Sequence, residues 1–293
     1  MAEAKDCRHE FTYLSPAKIN LFLHITSKRA DGYHNLQTVF QLLDFCDEIC
    51  LSIRQDGQIN RIKGNEDIAA EDDLLIKSAR ALKKHSNSSL GVDISINKRI
   101  PAGGGLGGGS SNAATVLLAL NTLWQLNLDQ KTLASIGLTL GADVPVFVSG
   151  RSAWAQGIGE ILEPIDLPQY YYLVVSVNKH ISTKEIFSHK ALTMTPVQRK
   201  IPDFSRLSDL HNDCLDAAIS LQSEIKQALK HLDSTANHLE NARMTGAGCC
   251  VFVAFENEKD ALVAKKQLSK QWFGFVARAI NTSPAYNWAV AKR

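Results

Sequence analysis

Six glycines fall within residues 103–109, in the stretch PAGGGLGGGSSNAA (residues 101–114). A glycine inside a helix or strand costs about 0.5–1 kcal/mol relative to alanine, so such a run does not fill a core. It stands between a strand-like VDISI (residues 92–96) and a helical pattern carried by Ala113, Val116, Leu117, Leu120, Leu123 and Trp124. At a helix start, free N–H groups and the positive end of the dipole converge, and missing Cβ atoms admit a phosphate. The chemistry this spacing offers is polyphosphate binding. Glycine clusters also make plain flexible loops, but the strand before and the periodic helix after favour the phosphate reading. Gly103, Gly105 and Gly108 satisfy the dinucleotide pattern, yet Lys98, Arg99, Ile100 and Pro101 separate the strand from the glycines. A Walker loop needs Lys followed by Ser or Thr after Gly108, where Gly109 stands. Neither common loop fits.

Other reactive types have ordinary local readings. In SPAKINLFLHI (residues 15–25), Ile19, Leu21, Leu23 and Ile25 alternate as one core face of a strand. The same period puts Lys18, Asn20, Phe22 and His24 on the other face, which is usually solvated. Asp143, in GADVPVF, follows a helix that starts at Asp129 and ends near Gly141. A carboxylate gains nothing from the dipole there, and local sequence favours a turn aspartate. Tyr33 and His34 leave an Asp31-Gly32 turn. Of the six cysteines, Cys46 and Cys50 alone are spaced as a pair, with no second Cys/His pair to complete a metal set; apolar neighbours make them buried free thiols.

The elements that must position these groups fit within 293 residues, of which 45% are hydrophobic. A net charge of +2 gives no strong field for nucleic acid or an anionic membrane. Residues 1–10 are too polar for a signal peptide, and no apolar run approaches the roughly 20 residues of a membrane span. A cytoplasmic protein is expected. Strands are read over residues 36–43 and 48–53, a helix from Asp72 or Asp73 to about His85, and a strand over 152–160 running into a turn. The pattern resets at residues 164–168. Beyond it come a buried strand (171–177), a short helix (183–189), a helix over 214–232, and a glycine turn feeding a strand (241–255). A helix (259–268) and a strand (273–280) close the chain. Two α+β domains are expected, residues 1–163 and 164–293.

Taken together, three stretches resemble the motifs of the GHMP kinases: PAKINLFLHI (residues 16–25), PAGGGLGGGSSNAA and MTGAGCCVF (residues 244–252). RADGYHNLQTVFQ (29–41), GADVPVF (141–147), AQGIGE (155–160), ISTKEIF (181–187) and HNDC (211–214) are similar to a branch that phosphorylates a cytidine diphosphate-linked methylerythritol. The resemblance implies a GHMP kinase fold, with an N-terminal domain like domain 2 of ribosomal protein S5 and a C-terminal ferredoxin-like domain. It implies ATP, accompanied by Mg²⁺, bound by Pro101, Ala102, Gly103, Gly104, Gly105, Leu106, Gly107, Gly108, Gly109, Ser110 and Ser111, with Lys98 beside them. Lys18 and Asp143 match the catalytic pair. Asn20, Tyr33, His34, Thr183 and Phe187 match substrate positions, with Tyr33 and Phe187 on the faces of the cytosine and His34 at its edge. No metal ligand from the chain is implied. The third motif departs from Met-Ser-Gly-(Ser/Thr)-Gly, since Thr245 and Ala247 replace the serines. Rival readings are a dinucleotide-dependent oxidoreductase, a nucleic-acid-binding protein of S5-like fold, and a kinase for another small alcohol. A monomer or weak homodimer without nucleic-acid or membrane partners is expected.

Overall fold

The computed structural model describes residues 10–177, 181–196 and 211–286; Cys7 lies outside them. Two long antiparallel strands, β1 (Glu10–Lys28) and β2 (His34–Arg54), form its axis. Where the sequence pattern reads two strands, β2 runs unbroken, because its second edge changes partner along its length. It pairs with β5 (Ala153–Gln156) at Thr38–Phe40, with β10 (Phe273–Ile280) at Leu42–Leu43, and with β4 (Gly91–Asn97) at Glu48–Arg54. β3 (Ile59–Lys63), unforeseen in the sequence, adds to β4 in parallel, and β6 (Ile161–Pro164) adds to β5.

Four helices cover this part: α1 (Leu74–Ser86), α2 (Gly108–Leu123), α3 (Gln130–Leu138) and α4 (Val144–Ser149). Asp73 and Asp129 cap α1 and α3 with their carboxylates, as their sequence positions predict. One core joins the inner faces of these helices to β2 and β4 through Val116, Leu117, Leu120, Ile94, Leu51 and Phe147.

Residues 165–170 lead into β7 (Tyr171–Ser176), which lies between β10 and β9 (Cys250–Phe255); β8 (Arg243–Met244) flanks β9. The short helix α5 (Thr183–Phe187) follows β7. The single helix read over residues 214–232 is two, α6 (Leu215–Leu221) and α7 (Glu224–Asp233), since Gln222 adopts an extended backbone. Each half then buries its own stripe, Ala217 and Ala218 in one, Ile225, Ala228 and Leu232 in the other. With α8 (Glu258–Lys266) they pack on β7 and β9 in a second core. The short pairing of β10 with β2 makes one ten-stranded sheet of all the strands.

β1 lies under both cores. Residues 15–26 are buried on both faces, so the solvated-face reading of Lys18 and Asn20 is wrong. Ile19 and Leu21 join a third cluster with Val174, Phe252 and Phe275, and Leu23 and Ile25 enter the second core. The face bearing Lys18 and Asn20 turns toward Phe40 and the glycine loop.

Candidate functional site

The glycine loop is held from below by backbone. The Lys18 amide donates to the Leu106 carbonyl (3.0 Å), and the Cys250 amide donates to that of Gly104 (3.2 Å). Gly105 (φ +76°) permits a contact that no other residue could make: a Cβ there would stand 2.3 Å from the Thr245 carbonyl oxygen. Gly107 (φ +70°) caps α2, and its Cβ would meet the Phe147 ring at 2.8 Å and Lys18 Cε at 3.1 Å. The helix thus begins at Gly108, inside the glycine run. No side chain caps it, leaving its first-turn amides for an anion.

The third motif closes on this loop. Thr245, fully buried, donates its hydroxyl to the Gly105 carbonyl (3.3 Å) and accepts from the Asn20 amide (2.9 Å). A hydroxyl in place of the usual serine therefore stitches β1 to the loop, whereas Ala247 packs against the second core. Cys250 sits beneath Gly104, and burial pushes its thiol up to about 12.

Above the loop lies a compact set of charges. The buried Lys18 ammonium donates to Asn20 Oδ1 at 2.6 Å and pairs with Asp143 Oδ2 at 3.2 Å. It also lies 5.2 Å from the centre of the Phe40 ring. Asp143 is about one-third exposed. It does not trail the end of a helix: it immediately precedes α4, whose Pro145 favours a helix start, and its carboxylate makes no cap bond. Asp143 thus stands in the turn between α3 and α4, as local sequence reads it, but at a helix start rather than a helix end. An ion pair with one buried and one accessible member, beside open helix amides, can bind a phosphate and accept a proton.

The expected loop residues divide. Pro101, Ala102, Gly103, Gly108, Gly109 and Ser110 are at least partly exposed along the loop and helix start, and Ser110 lies close to Gly141, before Asp143. Gly104 and Leu106 are buried, and Leu106 packs in the third cluster. Ser111 is turned inward: its buried hydroxyl accepts from Ser15 (2.8 Å) and its amide donates to the Gly107 carbonyl (2.8 Å). Lys98 does lie near the helix start, with Nζ 3.4 Å from the place of a Gly108 Cβ. It pairs with the fully buried Asp47. That carboxylate also accepts from the amides of Arg99 (2.7 Å) and Ile100 (2.9 Å), shaping the turn into the loop. Sequence reading passed over Asp47 because it fell between two expected strands.

A second group gathers at the far end of the β1–β2 ribbon. His34 is buried and stacks on Phe187 of α5, with ring centroids 5.3 Å apart and planes 25° apart. Burial and the nearby Lys28 charge push the His34 imidazole below its ordinary value, favouring the neutral ring. Tyr33 stands beside it, 59% exposed, and Thr183 is exposed at the start of α5. Asn20 pairs with Phe40 while Lys28 pairs with His34, so eight residues of β1 separate the two groups. That is at most about 26 Å of extended chain, shortened where the register shifts bend the ribbon. The turn at Gly157–Gly159 bridges the ends: Gly157 accepts from the Leu36 amide (2.7 Å), and Gly159 faces Phe40 and the Ala142 carbonyl. HNDC fastens β1 from the other side. Asp213, buried, accepts from the Ile25 amide (2.6 Å), and Asn212 donates to the carbonyls of Met244 and Gly246.

Residues 73–151 match the GHMP kinases N terminal domain. A 4-diphosphocytidyl-2-C-methyl-D-erythritol kinase of Ruthia magnifica is 61% identical, covering 96% of this chain and 99% of the relative. Its counterpart from Halorhodospira halophila is 50% identical, covering 93% and 94%. A crystal structure of 4-(cytidine 5'-diphospho)-2C-methyl-D-erythritol kinase superposes with a TM-score of 0.80 at 30% identity, covering 92% of this chain and 98% of that one. The L. major mevalonate kinase shares the fold, with a TM-score of 0.68 at 17% identity over 96% of this chain and 99% of its own.

Proposed function

The chain belongs to the 4-diphosphocytidyl-2-C-methyl-D-erythritol kinases of the GHMP superfamily, and we propose how its residues divide that work. The enzyme uses ATP to phosphorylate the 2-hydroxyl of 4-diphosphocytidyl-2-C-methyl-D-erythritol in the non-mevalonate isoprenoid pathway. The observation that carries the assignment of roles is the Lys18–Asp143 pair beside uncapped helix amides. Phosphoryl transfer passes through a loose transition state and asks mainly for positioning and charge stabilisation. Loop and first-turn amides hold the ATP phosphates. Asp143 takes the proton of the substrate hydroxyl as its oxygen bonds to phosphorus and ADP leaves. Lys18 offsets charge on the transferring group and on Asp143.

Mg²⁺ bound with the triphosphate would shield its charge. Among the described residues no three His, Cys, Asp or Glu side chains form a metal cage. The carboxylate that the site itself presents is Asp143, already turned to Lys18. At the other end Tyr33, His34 and Phe187 hold the cytosine with Thr183 beside them, and Asn20 completes the substrate site next to Lys18. The length of β1 between the two groups supports an elongated nucleotide-linked alcohol over a small one. Residues 1–163 form the nucleotide-binding domain and 164–293 the second domain, the boundary falling before β7. No described helix is long and apolar enough to cross a membrane; a cytoplasmic monomer or weak homodimer completes the reading.

An ATP-consumption assay against a panel of alcohols tests it. The cytidine diphosphate-linked methylerythritol should be consumed far faster than homoserine, mevalonate or galactose. Equal use of any of these would contradict the substrate assignment.

A further inference from the structure

Asn20 can aim either its carbonyl oxygen or its amino group at Lys18, and the two atoms differ little in size. The hydrogen bonds around Thr38 settle the choice chemically. Thr38 is fully buried on β2, and its hydroxyl lies against the Phe22 carbonyl. A carbonyl only accepts, so the hydroxyl proton is committed to Phe22. The Thr38 oxygen then has only its lone pairs left for Asn20, at 2.9 Å. It must receive the Asn20 amino group, which turns Oδ1 toward the ammonium, 2.6 Å away. The Asn20 backbone amide is meanwhile fixed on Thr245.

We propose that Thr38 is a positioning residue for phosphoryl transfer. It fixes the polarity of the chain Phe22 carbonyl, Thr38 hydroxyl, Asn20 amide and Lys18 ammonium. With Asn20 so oriented, the three N–H donors of Lys18 divide into one for Asn20 and one for Asp143, and the third is left for the transferring group. Without the hydroxyl, Asn20 loses the acceptor for its amino group. Its rotation would place N–H donors against a buried cation, and Lys18 would swing out of register with the loop. This inference rests on the assignment of Lys18 and Asp143 to the chemistry.

The test is a kinetic cycle on the full-length enzyme with variants T38V, T38S, N20A and T38V/N20A, with D143N as a control. Valine keeps the shape of threonine and removes the hydroxyl; serine keeps the hydroxyl. T38V should lower kcat about 10- to 100-fold, with the Michaelis constant for ATP changed less than about threefold, since a 1 Å misplacement costs on that order. T38S should recover to within about threefold of the wild type. In the N20A background T38V should add almost nothing, because the group it orients is gone. A melting temperature shared by T38V and T38S would separate positioning from loss of fold. A folded T38V with wild-type kcat, no rescue by serine, or full additivity with N20A would overturn the proposal while D143N still lowers turnover about 10²–10⁴-fold. Normal turnover by D143N would instead remove the catalytic reading on which it stands, and the proposal with it.

Discussion

The two ends of the site are built by different means. At the phosphate end the protein offers backbone: carbonyls and amides of Gly104, Leu106, Thr245 and Cys250 interlock, and side chains at Gly105 or Gly107 would collide with their neighbours. At the other end it offers side chains: His34 stacks on Phe187 from a separate element, and Tyr33 stands largely in solvent. A phosphate is the part of the substrates that any kinase handles, and a backbone frame can hold it without side chains. Base identity is particular to one substrate. Replaceable side chains on strand and helix ends can specify it without disturbing the frame.

This contrast sets where substitutions act. The largest effect expected at the aromatic end is on base identity. Stacking tolerates any base, so discrimination rests on edge hydrogen bonds, where cytosine presents an amino donor and uracil an oxygen. A mismatched buried edge costs about 1–3 kcal/mol, roughly ten- to a hundredfold. The cytidine-linked substrate should exceed its uridine counterpart in kcat/KM by that margin. Phe187→Ala should raise the Michaelis constant for this substrate and leave that for ATP nearly unchanged. Equal use of both bases, or an effect of Phe187 confined to ATP, would erase the distinction between the two ends.

A smaller effect comes from His34. Its imidazole is held below the ordinary value of 6.5 by burial and by Lys28. Below 6.5 the unfolded chain binds the proton more readily than the folded one, so stability falls as pH drops toward the folded value and levels off beneath it. The melting temperature of the wild type should therefore decline over that window more steeply than that of His34→Asn. Parallel pH profiles would show that the ring is not held neutral by its site.

Much of this was legible in the chain. The glycine run, its helix and the caps Asp73 and Asp129 follow from local spacing, because helix starts are set by neighbouring residues. The role of Lys18 was not legible locally. Period two places it opposite the core residues, but whether that face meets water depends on packing that brings α2 and the third motif over β1. Asp143 does sit in the turn that local sequence suggests, but the six-residue α4 gives too short a pattern to show that this turn opens a helix. Ser111 follows the loop directly, and one further step around the helix directs its hydroxyl to Ser15, a partner that spacing does not show. Asp47 lies in no motif, and Thr38 stands in one with no role readable from it; their significance lies in partners 51 and 18 residues distant. Nor does local spacing show that Gly105 also makes room for the Thr245 carbonyl.

The central claim is that Asp143 performs chemistry while the rest of the site binds and orients. It is tested most directly by the single-turnover rate of Asp143→Asn at saturating ATP and cytidine substrate. The substitution keeps the shape but takes no proton, and loss of a general base typically costs about 10²–10⁴-fold. A rate reduced within that range, in a protein that still saturates with both substrates, is the predicted result. A rate within about threefold of the wild type would contradict the account and return Asp143 to a structural partner of Lys18.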